Sequence, residues 1–189
     1  MNSTLKNTSS LIFFGAIWGA VEATLGFVLH QALAPFTGLL LFPVGFICMR
    51  LGQKATGTHY APVVVAVVAA SIKLVDFLLP GAAWLQVVNP AVAILLEGLM
   101  VLVFLSASEK VRVSQVVAAT FGWRLLFIGY LFVLFNMGLK IRLFQSGLEG
   151  VVMYLTFDGF VNAVCVYLAA ILLRKPQEGV LNWTKKPVI

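Results

Sequence analysis

Charge is what this chain has least of. Only 11% of its 189 residues are charged, against about 25% in ordinary soluble domains. Seven acidic side chains and two histidines are too few to solvate a globular surface. Cysteine is nearly absent as well. Cys48 and Cys165 sit in apolar stretches without a Cys-x-x-Cys pattern, so they read as small hydrophobes rather than a disulfide or a metal site. No Walker A sequence, glycine-rich nucleotide loop, His-Glu-x-x-His or Gly-x-Ser-x-Gly occurs. Recognisable ATP hydrolysis and nucleophile-elbow chemistry are thereby excluded, and no cofactor is predicted. A basic stripe interleaved with exposed aromatics is also missing, so nucleic acid is not an expected partner.

What is present is hydrocarbon. Hydrophobic residues make up 61% of the chain and the mean hydropathy is +1.01. A membrane span needs roughly 17–25 mostly apolar residues. Six such stretches are predicted, at 11–31, 37–51, 61–79, 90–106, 115–138 and 149–173. The fold class is therefore all-α, a polytopic six-helix membrane bundle. The expected organisation is a short N-terminal tail (1–10), a helical domain (11–173) and a basic C-terminal tail (174–189). Asn89-Pro90 reads as a helix start, and Pro43 predicts an irregular or tilted second span. Alternating sides place Lys6, Arg50, Lys54, Lys110, Arg112, Arg174, Lys175, Lys185 and Lys186 together, with only Lys140 and Arg142 opposite. The positive-inside rule then puts both termini in the cytoplasm. The net charge of +6 follows from that bias and suits contact with an anionic lipid bilayer.

Against this background six ionisable side chains stand out inside the apolar runs: Glu22, Lys73, Asp76, Glu97, Arg124 and Asp158. A charge at mid-membrane costs about 2.5–3.5 kcal/mol on insertion scales. Lys73 and Asp76 are three residues apart and predict a local ion pair. Arg124 and Asp158 predict a pair across the bundle, and Asn162, one turn on, extends that polar face. Four carboxylates still face only two cations. The two left over require a proton, a hydrogen bond made while neutral, or a ligand. Span positions put most of these groups central or outward, which predicts a ligand pocket open to the outside. His30 closes the first helix on that side. The uncharged connection 80–89, containing Trp84, reads as a lid or as an interfacial anchor in the aromatic belt. A metal site from His30 with Glu22, Asp76 and Glu97 lacks tight ligand spacing.

The first helix has two organised faces. Gly15, Gly19, Glu22 and Gly26 share one, expected to turn inward. Ala16, Ala20 and Ala23 share the other, suited to a partner helix because small residues four apart allow close approach in lipid. Six spans, cytoplasmic ends, no ATPase motif and the sequence Ala16-Ile17-Trp18-Gly19-Ala20 together resemble the substrate-binding S components of energy-coupling factor transporters. In that family an Ala-x-x-x-Ala pattern contacts the coupling subunit. The resemblance implies a prokaryotic plasma or inner membrane, a transmembrane coupling subunit and ATPase subunits as partners, and a vitamin, cofactor precursor or trace cation as the small-molecule ligand. It implies a non-enzymatic capture role. Other readings stay open: an integral membrane enzyme using Glu22, Glu97 and His30, a stand-alone proton-coupled carrier or small channel using the surplus carboxylates, and a structural assembly protein, which explains the buried carboxylates least well.

Overall fold

Where water is scarce, each backbone N–H and C=O must be satisfied within its own segment, and apolar runs of this length meet that demand as helices. The computed structural model describes residues 3–32, 37–81, 83–105 and 111–173, and among them there is no strand. The helices are α1 (Ser3–Ala32), α2 (Thr37–Thr56), α3 (Ala61–Lys73, prolonged by a 3-10 segment, Leu74–Leu78), α4 (Trp84–Phe104), α5 (Val113–Asn136), the short α6 (Arg142–Gln145) and α7 (Gly147–Leu172). The expected tails 174–189 and residues 1–2 lie outside the described residues. α1 begins at Ser3, so most of the predicted N-terminal tail is helix.

Among the described residues, five helical segments are long and apolar enough to cross a membrane: Asn7–Gly26, Ala61–Leu78, Trp84–Phe104, Val113–Asn136 and Gly147–Leu172. α2, the sixth expected span, runs 20 residues but is not among them; it contains Pro43 and ends through Arg50, Gln53 and Lys54. The packing explains why α2 carries more polarity. α2, α3, α4, α5 and α7 close a ring of neighbours, and α2 also reaches across to α4 while α1 lies against α2 and α3. Arg50 and Gln53 are buried and bonded to each other, Arg50 Nη1 donating to Gln53 Oε1 at 2.9 Å.

A second difference concerns α4. Asn89-Pro90 does not start it; the helix already begins at Trp84 and Pro90 lies within it. The predicted connection 80–89 is thus half helical. Proline there forfeits one backbone bond. Neighbouring Asn89 is tied by its side chain, with the Tyr130 hydroxyl donating to Asn89 Oδ1 at 3.2 Å.

α1 and α3 approach each other closely. A Cβ added at Gly15 would come within 2.6 Å of Val68 Cβ, and one at Gly19 within 2.8 Å of Ile72 Cβ. The missing side chains let the two backbones meet. α1's other side stays uncovered, with Ile12, Phe13, Ile17, Leu25 and Val28 each at least 40% exposed. At the far ends of α2 and α7, Lys54 Nζ donates to the Leu173 carbonyl at 2.5 Å, fixing those two ends side by side.

Candidate ligand-binding site

All six intramembrane charges turn inward: Glu22, Lys73, Asp76, Glu97, Arg124 and Asp158 are each no more than 6% exposed. They fall into two neighbourhoods. The first lies between α1 and α3. Lys73 Nζ and Asp76 Oδ2 form the predicted ion pair at 2.7 Å, and the same ammonium donates to the Glu22 main-chain carbonyl at 2.9 Å. Trp18 Nε1 donates to Glu22 Oε1 at 3.3 Å. One cation thus serves a carboxylate and a carbonyl, and an indole serves the second carboxylate. The inward turn of Gly15, Gly19, Glu22 and Gly26, all buried, follows the expected face.

The second neighbourhood is built on α4, α5 and α7. Arg124 departs from the predicted pairing with the Asp158 carboxylate. Its Nη2 donates to the Asp158 main-chain carbonyl at 3.3 Å and its Nη1 to the Thr120 carbonyl at 3.1 Å. The guanidinium lies 4.4 Å from the Trp123 ring centroid and 5.7 Å from that of Tyr154. Main-chain oxygens and ring faces hold the arginine, and the Asp158 carboxylate makes no hydrogen bond or ion pair with any described residue. Glu97 stands within electrostatic reach of both Glu22 and Arg124, linking the two neighbourhoods. Its Oε2 is buried without a hydrogen-bond partner among the described residues, as are Thr120 Oγ1, Trp123 Nε1, Arg124 Nε and Asn162 Oδ1. Buried polar atoms left unbonded are uncommon, and five of them on three adjacent helices mark this interior as polar beyond what the fold uses.

Asn162 serves a different purpose from the one its spacing suggested. Its Nδ2 donates to the Gly38 carbonyl at 2.7 Å, latching the first turn of α2 to the middle of α7. Phe42 of α2 packs on Trp123, ring centroids 5.8 Å apart. Trp84 opens α4 and is 53% exposed, as an anchor at the bundle's edge would be; it does not line the hollow described next. The His30 side chain lies outside the described residues. Of the alanine face, Ala20 is exposed while Ala16 and Ala23 are half-buried.

Beside Asp158 the helices part. A hollow of about 600 Å³ runs between α5, α6 and α7, lined by Phe127, Leu131, Arg142, Leu143, Ser146, Glu149, Gly150, Met153, Tyr154 and Asp158. Of the residues predicted from sequence for ligand binding, only Asp158 reaches it. The other lining residues were not singled out from the sequence, and the signal that groups them is weak: Ser146, which caps α7, and Glu149, Gly150, Met153 and Tyr154 of α7 share a helical stripe with Asp158. Arg142 had entered only as an orientation charge. Gly150 lets α6 close on α7, since a Cβ there would come 2.5 Å from Ser146 Cβ. The volume suits a small organic molecule, for which pockets of roughly 300–1,000 Å³ are usual. Among the described residues no group of three or more His, Cys, Asp and Glu side chains is placed to hold a metal ion. No family model, curated protein or solved structure matches the chain, so the functional reading rests on this geometry.

Proposed function

We propose that this chain is the ligand-capturing subunit of a membrane importer for a small organic nutrient, a vitamin or cofactor precursor. Its energy comes from a separate transmembrane coupling subunit and ATPase subunits, as the resemblance to energy-coupling factor S components implies. The observation that carries this reading is the α5–α7 hollow, with a carboxylate among its lining residues, Asp158, that makes no hydrogen bond or ion pair with any described residue. A pocket of this size with apolar walls favours an organic molecule over a trace cation. In this reading α2 crosses the bilayer with the other five helices, enclosed enough by its neighbours to keep its polar end. Both termini lie on the Lys/Arg-rich cytoplasmic side, and the hollow's mouth at Arg142 and Glu149 faces outward. Ala16, Ala20 and Ala23, with exposed Ile17, provide the strip on which a coupling helix packs. Binding, rather than catalysis, is the role given to these residues.

The test is mass spectrometry of small molecules that co-purify with the protein from native membranes. A compound retained by the unmodified protein and lost from Met153→Trp, which fills the hollow, supports capture. Retention by both proteins, or by neither, overturns it.

A second reading, a proton-coupled carrier acting alone, draws on one observation: Glu97 Oε2 has no hydrogen-bond partner among the described residues and lies within electrostatic reach of Glu22 and Arg124, as a proton-carrying carboxyl would. Uptake driven by a pH gradient into liposomes holding only this chain, and abolished by Glu97→Gln, would establish it. Equal uptake with and without the gradient rejects it.

A further inference from the structure

The hollow distinguishes ligands by charge at one end only. Its outer end carries Arg142 and Glu149, both exposed, so water screens them and each sign finds a partner there. Its inner end carries Asp158, 6% exposed and among the residues that line the cavity. The nearest cation, Arg124, lies within electrostatic reach of the Asp158 carboxylate but does not line the hollow; it is hydrogen-bonded to two main-chain carbonyls and lies beside the rings of Trp123 and Tyr154. A ligand reaching inward therefore meets a carboxylate, an aromatic face from Tyr154 and apolar walls from Phe127, Leu131 and Met153. Glu149 and Asp158 are nine residues apart on α7, about 13 Å of helix rise, so the cavity is elongated.

Resting on the capture reading, we propose that this hollow takes an organic cation: a protonated nitrogen set against the Asp158 carboxylate, carried on an apolar body that runs along Phe127, Leu131 and Met153 toward the mouth. A buried carboxylate that feels a cation's field but forms no ion pair with it is incompletely compensated until a closer counter-charge arrives. A ring face beside it attracts a cation further. A neutral ligand leaves the carboxylate unpaired, and an anionic one places like charges together, so the inner end selects by sign.

Three probes that share one body separate these cases: phenethylamine, phenethyl alcohol and hydrocinnamate, titrated calorimetrically into the full-length protein in detergent. The amine is expected to bind about tenfold or more tighter than the alcohol, as a charge-assisted contact allows, and hydrocinnamate the most weakly. In Asp158→Asn the amine and the alcohol become equal within about twofold, and in Met153→Trp all three are lost. Equal binding of amine and alcohol, a preference for hydrocinnamate, or an amine preference that survives Asp158→Asn each overturns the assignment. Should Asp158→Asn fail to fold, the order of the three probes on the unmodified protein decides. The two readings fail separately. A co-purifying compound that Met153→Trp loses but that bears no cationic nitrogen removes the organic cation and leaves capture standing. If neither a compound nor any probe binds, both are removed.

Discussion

Two regions of this bundle contain the same kinds of residue and use them in opposite ways. Between α1 and α3, glycines bring the backbones together, and the charges there are consumed locally: Lys73 on Asp76 and on the Glu22 carbonyl, Trp18 on Glu22. Between α5 and α7, Phe121 packs on Gly159, and beyond that contact the helices separate around larger side chains. There the cation's hydrogen bonds go to main-chain oxygens, and it reaches the Asp158 carboxylate through its field alone. A buried charge therefore says little about function until its partners are counted atom by atom. The closed corner is built for cohesion, the open crevice for something that comes and goes.

The largest effect that would break this comparison is on the closed side. Lys73→Met leaves Asp76 buried without its counter-ion and should cost about 3–5 kcal/mol, seen as loss of folded protein in size-exclusion profiles or a steep fall in thermal midpoint. Adding Asp76→Leu should restore much of it, because replacing both partners by apolar groups is often near neutral. Next come Gly15→Leu and Gly19→Leu, which force α1 off Val68 and Ile72; overpacking of this kind costs about 1–3 kcal/mol, and thermal unfolding in detergent reads it. On the open side Asp158→Asn should change stability by less than about 1 kcal/mol, since no described hydrogen bond or ion pair of the carboxylate is lost. If Asp158→Asn destabilises as much as Lys73→Met, the crevice carboxylate is structural and the contrast fails. Smallest of all, Ala20→Leu on the exposed side of α1 should shift stability by no more than about 0.5 kcal/mol and leave ligand binding intact. Uptake by cells holding the complete importer should nonetheless stop; unchanged uptake would remove that strip from the partner interface.

Much of the scaffold was legible in the residues, because a run of apolar side chains in lipid has few structures open to it. The inward turn of Glu22 with its glycines and the Lys73–Asp76 pair followed directly from helical spacing. The course of α4 did not, because Asn-Pro marks a helix start strongly enough to mask the helical turn before it. The Arg124–Asp158 contact was anticipated as a pair of side chains. Charge complementarity could not tell a carboxylate from a main-chain carbonyl of the same residue, and that distinction governs whether Asp158 is available. The crevice was invisible for a different reason. It arises where α5 and α7 part and α6 bridges them, a matter of how helices lean rather than of which face each presents. Glu149 and Tyr154 become interesting only once that gap exists.

Tyr154 belongs to both sides of its helix at once. Tyr154 is among the residues that line the crevice and its ring centroid lies 5.7 Å from Arg124, whose field reaches Glu97. Occupancy of the crevice is therefore not a private matter for the groups that touch the guest. A guest that pressed on that phenol would bear on the guanidinium beside it, and through that on the acid of the neighbouring helix, one step nearer the corner where α1 is fastened.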